Sequence, residues 1–156
     1  ILAGMDRSRL EALLRLLDSI HFPYTLPEDI LRHMWSKLLV NTGCNQAAMV
    51  FQCGYGGLKT GQPAHDTMVG AMKEVMAVAN AEGIRLTEAD IRGWVDIIDG
   101  FPDSGEPSMR QDGKAHRKSE VELFSGTIRR LGVKHGIPTP VNDWLYGKVQ
   151  EMESQY

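Results

Sequence analysis

The segment from Trp35 to Asn45 combines an apolar helical pattern with a regular set of polar side chains. Lys37, Asn41 and Asn45 are four residues apart, so on an α-helix they form one stripe that drifts slowly around the axis. The stripe is surrounded by apolar residues, namely Trp35, Leu38, Leu39 and Val40. A core helix has no need of such a stripe, whereas a site for a small polar ligand does. The segment therefore predicts a central helix that carries a binding site.

Length and composition predict one soluble globular domain, which we assign to residues 1–156. The chain has 156 residues, of which 42% are hydrophobic and 24% are charged, and its formal net charge is −3. This charge gives no electrostatic reason to expect a nucleic-acid partner. No apolar run approaches the ~20 residues that span a bilayer, so we expect no membrane partner. Two cysteines without a CxxC spacing favour a reducing, cytoplasmic location.

The histidines and the first residues lead to two further expectations. The five histidines form no ligand cluster in the sequence, so we predict no metal site. The chain starts with Ile1 rather than Met, and Ile1–Gly4 has the pattern of the end of a strand. We therefore expect the chain to begin partway through a larger protein.

Helical periodicity predicts an all-α fold of five to seven helices without strands. The predicted helices are Asp6–Ile20, Pro27 to about Phe51 with a disturbance near Gly43, His65–Ala81, Thr87 to Gly100, about His116 to His135, and Thr139 onward with fraying from Glu151 to Tyr156. We expect Asp6 to be an N-cap, Pro27 and Pro140 to be first helical residues, and Thr87 to open a capping box.

Two patterns allow a functional and a structural interpretation. The methionine stripe of Met68, Met72 and Met76 is compatible with an adaptable binding groove, but core packing between helices is the favoured interpretation. The glycine-rich segment Gly54–Gly57 lacks the spacing of a phosphate-binding loop and follows no strand. We therefore predict a turn there.

Four segments in this order resemble one known family. They are Trp35–Asn41 with Asn45, Pro107–Asp112, Arg117–Glu120 and Gly136–Asn142. Together they resemble the C-terminal domain of the ketopantoate reductase (2-dehydropantoate 2-reductase) family over essentially the whole chain. The resemblance implies a helical domain like the C-terminal domain of 6-phosphogluconate dehydrogenase. It also implies a partner domain, an N-terminal Rossmann domain that binds NADPH, whose glycine fingerprint is absent from this sequence.

The resemblance also implies roles for individual residues. Lys37 matches the family's catalytic lysine, a general acid that protonates the ketone oxygen, and Glu120 matches a glutamate that orders the site and contacts the nicotinamide ribose. Substrate-binding positions match at Asn41, Asn45 and Ser108. A further substrate-binding asparagine of some members is replaced here by Tyr55, which leaves the exact substrate open.

The chemistry fits these residue types. Hydride attack on a 2-keto acid builds negative charge on the carbonyl oxygen, and a cation with a transferable proton stabilises it. We expect the apolar neighbours of Lys37 to bury it partly, which favours proton release from an ammonium group. Neutral amide donors can bind the carboxylate of the substrate without occupying the lysine.

Each residue taken alone also has a structural interpretation. Lys37 can be a solvated side chain, and Asn41 can be a polar residue that bends the helix. Asn45 can cap a break after Gly43, and Ser108 can be an N-cap. Glu120 can be an exposed ion-pair partner of nearby basic residues, such as Arg117 or Lys118.

Two functions remain open at this point. The first is the substrate-binding half of an NADPH-dependent reductase that converts ketopantoate to pantoate for pantothenate and coenzyme A synthesis, or a related reductase of another 2-keto acid. The second is a non-catalytic helical domain for dimerisation or metabolite binding, and a homodimer is compatible with either. The sequence does not decide between NADPH and NADH, because the cofactor domain is not in it. Without that domain, we expect these 156 residues alone to be inactive.

Overall fold

The structure, a computed structural model, describes residues 6–156 and contains only helices, turns and loops in that range. The α-helices are α1 (Arg7–Ser19), α2 (Ile30–Val50), α3 (His65–Ala81), α4 (Glu88–Asp99), α5 (Ser108–Lys114), α6 (Thr127–His135) and α7 (Pro140–Glu153). A 3₁₀ turn (Tyr55–Leu58) and a π-helical turn (Glu122–Gly126) complete the secondary structure of this range. The predicted all-α class is confirmed, whereas the strand expected at Ile1–Gly4 lies outside the described residues.

Helix α2 is the centre of the fold and packs against α3, α4, α5 and α7. The disturbance predicted near Gly43 is wrong, because α2 runs without interruption from Ile30 to Val50. Gly43 is instead the point of closest approach to α3. A Cβ atom there would lie 2.7 Å from the Met68 carbonyl oxygen and 2.7 Å from Met72 Cγ. The glycine therefore permits close helix packing and does not mark a break.

The two halves of α2 differ in their surroundings. Every residue from Leu39 to Met49 is buried except Asn41. In the first half, Leu31 is 53% exposed and Met34 is 51% exposed. The apolar side chains of α2 are therefore fully buried only in its second half. The first half presents apolar side chains on the surface formed by residues 6–156.

The helix starts were predicted with mixed success. Asp6 caps α1, since its carboxylate accepts the Ser8 backbone N–H at 3.2 Å, and Thr87 opens the predicted capping box with Asp90. Pro27 is not the first residue of α2. The N-cap is Asp29, whose Oδ1 accepts the Arg32 N–H at 2.9 Å.

The segment between Ser108 and His135 differs most from the prediction. Helix α5 was not predicted, and no helix begins near His116, which adopts a positive φ of 50°. Helical structure resumes only at Glu122, in the π-helical turn that leads into α6. The apolar spacing of Val121 and Phe124 suggested a longer helix, because both residues are buried although Val121 precedes an irregular turn and Phe124 lies within it.

Helix α7 begins as predicted, with Pro140 in its first turn, but its N-terminus is capped from another helix. The Glu74 carboxylate of α3 accepts the backbone N–H groups of Val141 at 2.7 Å and Asn142 at 2.9 Å. The Thr139 side chain makes no capping bond. The fraying predicted from Glu151 to Tyr156 is wrong for the first three of these residues, because α7 extends to Glu153, which is buried.

The methionine stripe of α3 is part of the core, as favoured from the sequence. Met68 and Met72 are fully buried, and the half-buried Met76 packs against the same cluster. The alternative interpretation as an adaptable surface groove is therefore wrong for Met68 and Met72. Within residues 6–156, no helix is both long enough and apolar enough to span a membrane.

Candidate functional site

A cleft of about 340 Å³ opens between α2, the 3₁₀ turn, α4 and the start of α5. Four of the five predicted site residues line it: Lys37, Asn41, Asn45 and Ser108. Its other lining residues are Val40, Cys44, Tyr55, Trp94, Ile97, Ile98, Phe101 and Pro107. The volume lies within the range of pockets that hold small molecules. The fold thus brings the polar stripe of α2 and Ser108 of α5 to one concave surface.

Lys37 lies at the mouth of the cleft, where its ammonium group faces an indole ring. Lys37 Nζ is 5.5 Å from the centre of the Trp94 ring, within the range of a cation–π contact. Trp94 is itself oriented by its Nε1–H, which donates to Ser36 Oγ at 2.9 Å. In the structure of residues 6–156 the Lys37 side chain is exposed to solvent. The partial burial predicted for it is therefore not supplied by this part of the protein. The ammonium group is oriented and accessible to a ligand.

Asn45 and Ser108 form a direct link between α2 and α5. Ser108 Oγ donates to Asn45 Oδ1 at 3.1 Å, and the Met109 backbone N–H donates to the same oxygen at 3.3 Å. Asn45 therefore caps α5 and not a break in α2, as one interpretation of the sequence had it. Ser108 is the first residue of α5, and Pro107 occupies the N-cap position instead. Asn45 is only 7% exposed, and no residue in 6–156 accepts a hydrogen bond from its Nδ2.

Asn41 lies between Lys37 and Asn45 and is half-buried. It lines both the cleft and a neighbouring groove of about 350 Å³, which is mainly apolar. The other residues of this groove are Met34, Trp35, Lys37, Leu38, Leu123 and Phe124. The Asn41 side chain makes no hydrogen bond to any residue in the described range. Asn41 also does not interrupt α2, so its interpretation as a helix-bending residue is not needed.

Glu120 is not brought into the cleft. It is exposed in the loop between α5 and the π-helical turn, where its carbonyl oxygen accepts the N–H groups of Leu123 and Phe124. The ion pairs suggested from the sequence are also wrong. Arg117 pairs with Asp112 at 2.7 Å, and Lys118 pairs with Glu153 at 3.4 Å.

The loop that carries Glu120 is held by a residue that sequence analysis missed. The buried carboxylate of Glu153 accepts the Ser119 backbone N–H at 2.8 Å and the Ser119 hydroxyl at 2.6 Å. A charge-assisted pair of this kind fixes the loop one residue before Glu120. The only sequence signal was a glutamate in the mostly polar segment at the end of α7, which is too common a pattern to predict a contact.

The cleft wall opposite the polar stripe is aromatic, and apart from Tyr55, which the family resemblance placed at a substrate-binding position, it was also missed. The Tyr55 and Phe101 rings meet edge to face with their centres 4.7 Å apart, and Trp94 and Ile97 continue the surface. Burial raises the pKa of the Tyr55 hydroxyl above its usual value, so Tyr55 is a neutral phenol at physiological pH. The spacing of Trp94, Ile97 and Ile98 marks one face of α4 and could have indicated this wall.

Cys44 lies deep in the cleft but is not suited to nucleophilic chemistry. Burial raises the pKa of its thiol to about 12, against a smaller opposing effect of the nearby Lys37 charge. The thiolate is the reactive form of cysteine. Cys44 is therefore an apolar wall residue at neutral pH.

Comparison with known proteins gives one consistent result. Residues 29–153 match the family model for the C-terminal domain of ketopantoate reductase, described as PanE/ApbA C terminal. A 2-dehydropantoate 2-reductase from Vibrio cholerae is 32% identical over 135 residues, which are 86% of this chain and 45% of the relative. The chain thus spans about half the length of the curated relatives it matches.

Two solved structures share the fold over almost the whole chain. A PanE/ApbA family ketopantoate reductase from Ralstonia eutropha aligns with a TM-score of 0.83 at 28% identity, covering 93% of this chain and 48% of that one. A D-mandelate dehydrogenase, solved with NADH and anilino(oxo)acetate, aligns with a TM-score of 0.85 at 25% identity, covering 97% and 50%. The match over residues 29–153 shows that the chain belongs to the ketopantoate reductase family, as its C-terminal domain.

Proposed function

We propose that this chain is the substrate-binding half of an NADPH-dependent reductase that converts 2-dehydropantoate to pantoate, a step toward pantothenate and coenzyme A. One observation carries the proposal: Lys37 and the Asn45–Ser108 pair lie on the same wall of one cleft. This wall combines a proton donor with neutral hydrogen-bonding groups that can hold a keto acid. The family relationship supports the same activity.

The substrate is held by the inner part of the polar stripe. Asn45 Oδ1 already accepts two hydrogen bonds, so its Nδ2 is the group left to donate to the carboxylate or hydroxyl of a ligand. The half-buried amide of Asn41 offers two more donors and one acceptor. Ser108 Oγ can accept a hydrogen bond from the ligand while its own hydroxyl proton remains donated to Asn45 Oδ1. These groups orient the keto acid without a second cation competing with Lys37.

Lys37 acts at the keto oxygen. A nicotinamide cofactor, when bound, would supply the hydride for the keto carbon. As charge grows on the oxygen, Lys37 Nζ donates its proton there, and the product is the 2-hydroxy acid. General acid catalysis of this type contributes about 10²–10⁴-fold to the rate. Trp94 holds the ammonium group beside the cleft through its ring face.

The cofactor fits this chain only at the margin of the cleft. The sequence has no glycine fingerprint, and residues 6–156 contain no strand that could precede one. The apolar groove beside Lys37 and Asn41 offers flat side chains, such as Trp35, against which a nicotinamide ring can pack. We therefore propose that a Rossmann domain of the same protein binds NADPH and places the nicotinamide at this groove. That domain would also cover the exposed Lys37.

Glu120 belongs to the cofactor side of this arrangement. Its exposed position in a loop that Glu153 fixes suits a contact to the nicotinamide ribose from this chain. A carboxylate is a good acceptor for ribose hydroxyl groups. In this proposal Glu120 acts from outside the substrate cleft as part of the active site that the two domains would form.

The decisive experiment is a steady-state assay of the full-length protein with ketopantoate, following NADPH absorbance and repeated with NADH. We expect ketopantoate-dependent oxidation of NADPH, and no turnover by residues 1–156 alone. If the full-length protein binds NADPH but reduces no 2-keto acid, the alternative of a non-catalytic dimerisation or metabolite-binding domain takes the place of the proposal. Turnover by the isolated chain would contradict the role assigned to the second domain.

A further inference from the structure

Glu153, the last residue of α7, carries a buried charge. It is 4% exposed, whereas glutamate is almost never fully buried unless it is paired. Its Oε1 accepts the Ser119 backbone N–H at 2.8 Å and the Ser119 hydroxyl at 2.6 Å, and its Oε2 lies 3.4 Å from Lys118 Nζ. One side chain at the end of α7 therefore holds two consecutive residues of the loop that follows α5.

The two residues held in this way immediately precede Glu120, which we propose to contact the nicotinamide ribose. On its other side, the Glu120 carbonyl oxygen accepts the N–H groups of Leu123 at 2.9 Å and Phe124 at 3.1 Å. Leu123 and Phe124 line the apolar groove beside Lys37, where we place the nicotinamide. The backbone of Glu120 is thus fixed from both sides next to that groove. Its side chain is exposed, and within residues 6–156 its carboxylate has no ion-pair partner.

Stability alone does not explain a carboxylate at this position. A buried ion pair is often no more stabilising than well-packed apolar residues of similar volume. The surroundings suit an apolar residue, because Val149, one turn earlier on the same face of α7, is fully buried in an apolar cluster. A carboxylate differs from an apolar side chain in that its two hydrogen bonds to Ser119 have a fixed direction. They determine where the next residue of the loop lies.

We propose that Glu153 is a positioning residue of the reductase, which acts through Ser119 to place the Glu120 carboxylate and thereby determines the affinity for NADPH. The inference rests on the part of the proposed function in which Glu120 contacts the nicotinamide ribose. A hydrogen bond to a ribose hydroxyl requires its acceptor at a defined distance and direction, so a displaced loop weakens it. Glu153 itself is buried behind the loop and takes no part in proton or hydride transfer.

The test compares two substitutions of Glu153 in the full-length protein. Glu153→Met removes both acceptor oxygens at similar volume, and it leaves no buried charge behind because the Lys118 side chain is 72% exposed. We expect the Kd for NADPH, measured by fluorescence titration, to rise about tenfold, while KM for ketopantoate stays unchanged. Glu153→Gln keeps an oxygen that can accept both Ser119 hydrogen bonds and should restore most of the affinity. Glu151→Met, at an exposed glutamate of the same helix, is the matched control and should change neither constant.

A double-mutant cycle with Glu120 separates positioning from a general structural role. Glu120→Ala should itself raise the Kd for NADPH about tenfold, because it removes a charged acceptor. Adding Glu153→Met to Glu120→Ala should raise the Kd no further, since both changes remove the same contact to the ribose. A purely structural effect of Glu153 would instead add to that of Glu120→Ala.

The possible outcomes distinguish this inference from the proposed function. An unchanged Kd for NADPH in Glu153→Met, or additive effects in the cycle, overturns the inference and leaves the reductase function intact. A protein that binds NADPH but reduces no 2-keto acid overturns the proposed activity, while the NADPH titrations still test Glu153. A full-length protein that binds no NADPH overturns both.

A second variant covers the case in which Glu153→Met does not fold, as judged by circular dichroism and melting temperature. Ser119→Ala removes one of the two hydrogen bonds to Glu153 and leaves the backbone N–H bond in place. We expect a smaller rise in the Kd for NADPH, again with an unchanged KM for ketopantoate. An unchanged Kd in Ser119→Ala would then overturn the inference.

Discussion

The two halves of α2 carry mainly apolar residues and yet have opposite surroundings. In the outer half, Leu31 and Met34 are more than half exposed. In the inner half even polar side chains are buried, and Gln46 is fully buried with its Nε2 donating to the Thr42 carbonyl oxygen at 2.6 Å. Burial along α2 is therefore decided by the helices that flank it and not by residue type. The polar stripe crosses this boundary, from exposed Lys37 to buried Asn45.

This contrast assigns different roles to residues that look equivalent in the sequence. A side chain in the outer half can be changed with little loss of packing, so its effect should be on catalysis. A side chain in the inner half contributes to stability as well as to binding. The following predictions test that division, from the largest expected effect to the smallest.

Lys37→Ala should give the largest effect on activity and almost none on folding. We expect kcat of the full-length protein to fall about 10²–10⁴-fold, because the proton donor is removed. The lost cation–π contact with Trp94 should cost less than about 1 kcal/mol in the free energy of unfolding. Steady-state kinetics and urea denaturation measure the two effects. Lys73→Ala, at an exposed lysine of α3, is the control, and a Lys37→Ala variant with normal kcat would remove the proposed acid.

Gly43→Ala, in the inner half of α2, should lower the free energy of unfolding. The new Cβ atom would lie 2.7 Å from the Met68 carbonyl oxygen, and such overpacking typically costs about 1–3 kcal/mol. Gly93→Ala in α4 is the matched control, because nothing lies within 4 Å of a Cβ atom there and alanine favours a helix by up to about 1 kcal/mol. Urea denaturation should show opposite signs for the two variants. Equal stabilisation by both would contradict the close approach of α2 and α3.

Asn45→Ala and Asn41→Ala should differ in their effect on the free energy of unfolding, because only Asn45 is buried and bonded to another helix. Loss of Asn45 removes the acceptor of the Met109 N–H and the Ser108 hydroxyl, which should cost about 1–2 kcal/mol of stability. Asn41→Ala should change stability by less than about 0.5 kcal/mol, as for other side chains without structural partners. Both variants should raise KM for the keto acid in the full-length protein. Equal stabilities would show that the cap of α5 contributes nothing.

The smallest effect is a pH dependence that comes from Cys44. The folded pKa of about 12 lies above the ordinary value of 9.0, so the unfolded chain loses this proton first as pH rises. The stabilisation of the folded chain by the buried neutral thiol is fully present below pH 9 and is lost progressively between pH 9 and about 12. Linkage predicts a loss of roughly 1.4 kcal/mol by pH 10. Cys44→Ala should show a smaller decrease in unfolding free energy from pH 8 to pH 10 than the unaltered chain, and an identical decrease would show that the thiol is not buried as described.

Sequence patterns predicted best where local chemistry decides the structure. The bounds of α3 at His65 and Ala81 were correct, and so was the capping box at Thr87, because periodicity and capping residues act over a few neighbouring positions. Gly43 was misread as a break, because a glycine needed for close packing and one that weakens a helix look the same in a sequence. The π-helical turn was missed because the buried spacing of Val121 and Phe124 imitates an α-helix.

Contacts between distant segments were beyond sequence reasoning. The Glu153–Ser119 and Glu74–Asn142 hydrogen bonds join residues 34 and 68 positions apart, and nothing local marks them. The polar wall of the cleft was foreseen through the stripe on α2 and the family resemblance. The aromatic wall was foreseen only at Tyr55, because the wall arises where the 3₁₀ turn and α4 meet, and no single segment contains its pattern.

The hydrogen bonds that meet at Asn45 Oδ1 have a consequence for motion. This one oxygen accepts hydrogen bonds from the Ser108 hydroxyl and from the Met109 backbone N–H, both in the first turn of α5. A ligand that binds Ser108 therefore also shifts the equilibrium between the folded and the locally unfolded α5. Linkage is reciprocal, so a change that destabilises this seven-residue helix must weaken the affinity for the ligand by the same factor. The slow exchange of amide hydrogens in α5 should therefore act as a reporter of an occupied cleft, readable before any turnover takes place.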